Sequence, residues 1–262
     1  MCTLAIYFRM APEWPVVIAA NRDEFLDRPA LDPTVLSDDP RVIGGKDLRA
    51  GGTWLGLSEH GLVCGLLNRP IVNGGNPRAR SRGLLCLDAL RRPTARDAAA
   101  FAAAENGANY NPFNLLIAGR DAAFVAYNRG GEIELVELAP GLHLLSNQDV
   151  DDFECPKISR SYGRFAELGR NPDFCRDPAA MRAQLARLLA DHSAQPDPRT
   201  GRPNSLCLHL DNYGTRSSSM IFLGRGLGQV EHFFAPGAPC RTAFAPAEIP
   251  RTAGTGATAQ GR

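Results

Sequence analysis

A chain of 262 residues with 29 Lys plus Arg against 28 Asp plus Glu carries a formal net charge of +1, too balanced for the basic footprint that nucleic acid or an anionic membrane calls for. Its apolar share of 44% and charged share of 22% are ordinary for a soluble protein, and no window approaches the roughly 20 apolar residues that span a bilayer. The length suits one substantial domain, and the charge balance points to a small-molecule partner rather than a polyelectrolyte.

Met1-Cys2-Thr3-Leu4 shows neither a basic n-region nor an apolar core ending at small residues, so no signal peptide is expected and the expected location is cytoplasmic. Leu4 to Phe8 and Val16 to Ala20 are short β-favouring runs joined by Met10-Ala11-Pro12-Glu13-Trp14-Pro15, which predicts an N-terminal hairpin. A glycine-rich stretch, Gly44 to Gly52, leads into a second hairpin from Thr53-Trp54-Leu55-Gly56-Leu57 and Leu62 to Leu67 about the turn Glu59-His60-Gly61. Helices are predicted at Ser81 to Leu90 and Thr94 to Glu105, the second with Thr94 as N-cap. Phe113 to Ala118, Ala123 to Asn128, Ile133 to Leu138 and His143 to Ser146 read as an antiparallel meander. Two more helices are expected at Lys157 to Leu168 and Pro178 to His192, a loop at Gln195 to Pro203, and closing strands at Ser205 to Leu210, Ser217 to Leu223 and Gln229 to Phe234. The domain is expected to span residues 2–245, with a mobile tail over 246–262. This order suits helices packed on antiparallel sheets, an α+β or layered architecture.

Seven cysteines, odd in number and scattered, lack CxxC or paired Cys/His spacing of the kind that marks zinc, clusters or covalent haem attachment, so no metal site is expected. Cys64, Cys86, Cys155, Cys175, Cys207 and Cys240 read as small buried apolar residues. The five histidines show no HExxH spacing, and the glycines near 44–52 fit neither GxxxxGK[ST] nor GxGxxG, so they read as turn formers and no bound cofactor is expected.

Cys2 differs from the other cysteines. If the first hairpin turns near Pro12, facing residue numbers sum to about 24 and Cys2 falls beside Asn21-Arg22-Asp23. A small side chain at position two favours removal of Met1, and the freed α-amino group titrates near 7.7 to 8.0, within reach of a thiol at about 8.5. Nucleophile and base then reside in one residue. Arg22 is placed to favour the thiolate and Asp23 to orient the ammonium form, the alternative for these two being a structural ion pair.

Met1-Cys2-Thr3, Asn21-Arg22-Asp23-Glu24, Gly51-Gly52-Thr53-Trp54, Gly65-Leu66-Leu67-Asn68-Arg69, Leu145-Ser146-Asn147 and Tyr213-Gly214-Thr215-Arg216 together resemble the NRDE family, also called the transport and Golgi organisation protein 2 family. The resemblance implies a four-layered αββα sandwich of the N-terminal-nucleophile (Ntn) hydrolase type. That family is similar in turn to cysteine Ntn amidases such as choloylglycine hydrolase and penicillin V acylase. The comparison implies Cys2 as nucleophile, Asp23 as the carboxylate near the freed amine, Asn68 and Asn147 as oxyanion donors, and Arg216 as a late catalytic arginine. Asn21, Arg22 and Trp54 are the expected binding residues, Trp54 as a pocket wall. The amidases carry arginine before the asparagine of the Asn21 loop, whereas here Ala20 stands there and the arginine follows at position 22.

Three functions compete. The first is hydrolysis of a non-peptide amide bond of a small molecule by Cys2. The second is non-enzymatic haem binding or trafficking, with haem as a hydrophobic ligand of the Ntn cleft. The third is an interaction surface on a degenerate fold, since fold by itself does not assign function.

Overall fold

A computed structural model of the protein describes residues 2–71, 74–171, 177–194, 196, 201 and 204–250. The first hairpin is formed by β1 (Thr3–Phe8) and β2 (Val16–Phe25), antiparallel, with Thr3 opposite Asn21 and Phe8 opposite Val16. β2 runs past its apolar half through Asn21-Arg22-Asp23-Glu24-Phe25. It does so because β11 (Tyr213–Leu223) pairs along it from Val16 to Phe25 and supplies backbone partners to the polar extension.

The strands form two antiparallel sheets. The first has the order β10 (Gly141–Leu145), β1, β2, β11, β12 (Val230–Ala235) and β13 (Ala245–Pro246). In the second, the strands stand in chain order: β3 (Ala30–Asp38), β4 (Arg41–Asp47), β5 (Leu55–Ser58), β6 (Val63–Asn68), β7 (Phe113–Ala118), β8 (Ala123–Asn128) and β9 (Ile133–Glu137). Apolar side chains alternate between the faces of each strand, as a period of two requires. Ile6, Ile18 and Ile221 meet Ile43, Leu57 and Val125 between the sheets. On the opposite face of the first sheet, Tyr7, Val17 and Phe222 pack with Ile158, Phe165, Met181 and Leu185 of α3 (Pro156–Arg170) and α4 (Pro178–Leu189). Cys64, Leu115 and Phe124 of the second sheet pack with α1 (Arg82–Leu90) and α2 (Ala95–Ala104). The layers therefore run helix, sheet, sheet, helix. Thr94 caps α2 through its side chain, which accepts from the Asp97 amide.

Several expectations change. His143 to Ser146 does not extend the meander; after β9 the chain crosses to the first sheet, where β10 pairs with β1. Ser205 to Leu210 is not a strand: the Leu206 carbonyl and Leu208 amide bind side chains of β2 and β11, the Cys207 amide binds the Asp191 carbonyl, and the segment meets β11 only at an isolated bridge, His209 to Gly214. Gly44 and Gly45 lie in a strand that the glycine content hid, β4. Gly45 serves close approach there rather than a turn, since a Cβ on it would stand 2.2 Å from the Trp54 ring. Gly52 likewise admits the Gly83 backbone, whereas Gly51, at φ +80°, does make the turn. Most of the Gln195 to Pro203 loop, Cys175 and residues 251–262 of the expected tail lie outside the described residues. Among the described residues, no helix is long and apolar enough to cross a membrane.

Candidate active site

Cys2 precedes β1 at the end of the hairpin, half-buried, with its thiol 3.6 Å from the Asp23 carbonyl and its own carbonyl accepting from Ser146 Oγ at 3.2 Å. Burial pushes the thiol up and the Asp23 charge adds to that, while Arg22 pulls it down. The resting thiol is therefore protonated, and a nearby base has to take its proton.

Strand alternation divides Asn21-Arg22-Asp23-Glu24 between two faces. Arg22 turns into the space between the sheets, its guanidinium 4.2 Å from the centroid of the Trp54 ring and 3.8 Å from Glu24. Burial lowers its pKa, a trend opposed by Cys2 and Glu24. Asn21 and Asp23 face the helices. The Asn21 amide donates to the carbonyls of Leu189 and Leu206, both at 2.9 Å, and its oxygen accepts from Ser218 Oγ at 2.6 Å. The Asp23 carboxylate is fully buried, 2.6 Å from Thr215 Oγ1 and 3.5 Å from Lys157 Nζ. Arg22 and Asp23 thus form no ion pair with each other, because adjacent strand residues point to opposite faces. Asn21, expected to bind ligand, lines the inner cavity, while its side chain holds the end of α4 against the segment before β11.

Cys2 lies where two cavities meet. The outer one, about 180 Å³, is polar and lined by Arg22, Glu24, Arg28, Asp47, Asn68 and Arg82 among others. The inner one, about 20 Å³, is walled by Leu4, Ala20, Leu55, Leu67, Ser217 and Ser219. Arg28 binds Asp47 at 2.8 Å. Against the upward push of burial, backbone amides and Arg28 hold that carboxyl below its ordinary value. Arg82 is half-buried and donates to the Pro112 carbonyl at 2.9 Å; burial, then Arg28, lowers its pKa. Asn68 ends β6 in the cavity wall, and the Asn147 amide donates to the Asn68 carbonyl.

The structure therefore gathers Cys2, Arg22, Trp54 and Asn68 around one cavity, with Asn147 behind Asn68. Asp23 lies beneath the strand, its carbonyl toward Cys2 and its carboxylate toward the helices. Arg216 does not line either cavity. It occupies the bulge where β11 shifts register between Thr215 and Ser217, and its Nε is buried without a hydrogen-bond partner among the described residues. Sequence reasoning missed Lys157, Thr215, Ser146 and Arg82. Thr215 stood next to a residue already singled out, so the motif Tyr213-Gly214-Thr215-Arg216 held its signal. Lys157 and Arg82 carried none, being single basic residues at helix starts.

A family model described as Transport and Golgi organisation 2 matches residues 1–233. The chain is 32% identical over 249 residues to the Bos taurus Transport and Golgi organization protein 2 homolog, covering 83% of this chain and 87% of the relative. To the Homo sapiens homolog it is 28% identical over 249 residues, with the same coverage. Among solved structures it is similar to a C2A mutant of the conjugated bile acid hydrolase from Clostridium perfringens, with TM-score 0.53 and 11% identity over 99% of this chain and 100% of that one. It is also similar to penicillin V acylase from Agrobacterium tumefaciens, with TM-score 0.53 and 12% identity over 94% and 84% of the two chains. The fold is thus the Ntn-hydrolase sandwich.

Proposed function

Because the chain belongs to the Transport and Golgi organisation 2 family, we propose that it is a cysteine amidohydrolase of the Ntn kind, cleaving a non-peptide carbon–nitrogen amide bond of a small molecule. The observation that carries this reading is the position of Cys2, which lines both the charged outer cavity and the narrow inner recess. After removal of Met1 the neutral α-amino group takes the thiol proton as sulfur attacks the amide carbonyl carbon. Asn68, held by Asn147, donates to the resulting oxyanion, a contact worth about 2.7–4 kcal/mol in comparable sites. Collapse breaks the carbon–nitrogen bond, and the ammonium proton leaves with the amine. Water then hydrolyses the thioester through the same donors, returning the thiol and releasing the acid.

The outer cavity suits a compact polar substrate. At about 180 Å³ it is below the roughly 300–1,000 Å³ of sites that enclose drug-sized ligands, and its charged wall suits a haem poorly. Arg22 and Arg82 favour an anionic group on the leaving amine.

The test is intact mass followed by turnover of a panel of N-acyl amides bearing carboxylate or sulfonate amines. Met1 should be absent, and Cys2→Ala should lower turnover on the order of 10⁴-fold or more while leaving the melting temperature unchanged. Activity should fall as the pH drops below about 7.7, where the amine acquires a proton and ceases to act as base. Retention of Met1, or a Cys2→Ala variant that turns over normally, overturns the proposal.

A further inference from the structure

Four side chains outside the active site converge from three segments remote in sequence. His192 follows α4, Cys207 and His209 lie in the segment leading to β11, and Cys240 lies between β12 and β13. Each offers a donor atom, and the four donors lie within 4.8 Å of one another. The thiols of Cys207 and Cys240 are 3.6 Å apart, and His209 Nε2 is 3.6 Å from Cys207 Sγ and 3.2 Å from Cys240 Sγ. A tetrahedral zinc with bonds of about 2.3 Å to sulfur and 2.0–2.1 Å to nitrogen has ligand-to-ligand edges of about 3.3–3.8 Å. The three separations among Cys207, His209 and Cys240 come close to such edges, and the thiol pair is far from the roughly 2.05 Å of a disulfide.

The surroundings match as well. His192 Nδ1 faces the Cys207 carbonyl at 3.1 Å, leaving Nε2 for a ligand, the arrangement that orients ligating imidazoles in general. That carbonyl also accepts from Ser205 Oγ at 2.7 Å, which fixes the Cys207 backbone. The absence of CxxC spacing concealed this group in the sequence, and Cys207 and Cys240 cease to be isolated filler residues.

We propose that His192, Cys207, His209 and Cys240 form a structural Cys2His2 site for a single zinc-class divalent cation. With four protein donors the site is closed and does no chemistry of its own. It staples the end of α4 and the strand-linking segment at Cys240 to the segment that carries Leu206 and Leu208. That segment reaches the active site from behind. Leu206 accepts from Asn21, and the Leu208 amide donates to Thr215 Oγ1, which donates to the Asp23 carboxylate.

The experiment is metal analysis of the full, tag-free chain purified reduced and without chelator, followed by Co²⁺ titration of the metal-stripped protein. About one zinc per chain is expected, together with saturable thiolate-to-cobalt charge-transfer and tetrahedral d–d absorption. Cys240→Ser, at an exposed position that should tolerate the change, should weaken Co²⁺ binding by more than the roughly 10–100-fold seen when outer partners of metal ligands are removed. Cys64→Ser and Cys2→Ser should bind Co²⁺ as the parent does, so failure here is separable from failure of the amidase reading. Sub-stoichiometric metal with a featureless cobalt titration, or a Cys240→Ser variant that binds like the parent, overturns the site. So does a Cys207–Cys240 disulfide in protein isolated without air.

Discussion

The two faces of β2 treat their polar residues in opposite ways. Toward the helices, Asn21 and Asp23 meet Leu189, Leu206, Ser218, Thr215 and Lys157 in a buried network. Toward the second sheet, Arg22 has an aromatic face and a carboxylate at 3.8 Å and borders open cavity. One continuous motif thus divides into a half bound into the helix-side network and a half that borders the cavities.

The largest effect should come from the buried pair. Lys157, 1% exposed, faces an Asp23 side chain with none, so Lys157→Met should lower urea-measured stability by about 3–5 kcal/mol, with much of it regained when Asp23→Asn is added. A loss below about 1 kcal/mol would put the pair in the class of surface ion pairs and erase the contrast between faces. The next effect is pH-dependent. His232 is buried on β12, and burial lowers its pKa from 6.5 to about 4, partly offset by the Glu248 carbonyl. The unfolded imidazole takes a proton near 6.5 that the folded one refuses, so stability is full above that value and lost as the pH falls toward 4. That loss is on the order of 3 kcal/mol, and His232→Gln should flatten it in acid denaturation curves. The smallest effect belongs to the open face. Arg22→Gln removes the contact with Trp54, worth about 1 kcal/mol. Since Arg22 opposes the upward push on the Cys2 thiol, the variant should react more slowly with iodoacetamide at neutral pH. An unchanged alkylation rate would mean that Arg22 does not address the thiol.

Much of the site was legible. The hairpin from Leu4 to Ala20 placed Cys2 beside Asn21-Arg22-Asp23 because a short turn dictates register, and the structure pairs Thr3 with Asn21 accordingly. Which face each residue takes was implicit in the period of two, and it rules out the structural Arg22–Asp23 pair that stood as the alternative reading of these two residues. Asn68 and Asn147 came only from motif resemblance, since 79 residues separate them and the contact between them is tertiary.

By itself, the sequence determined the elements whose cause is local: the first hairpin, the Thr94-capped helix, and the strands from Phe113 to Glu137. Only the tertiary structure decided where β10 pairs, that Lys157 lies under Asp23, that Ser205 to Leu210 stays irregular, and that two histidines and two cysteines meet. Local elements follow from turn chemistry and side-chain period over a few residues. These other features depend on which surfaces the layers bury together, and pairings across long stretches of chain leave no periodic trace in the residues that make them.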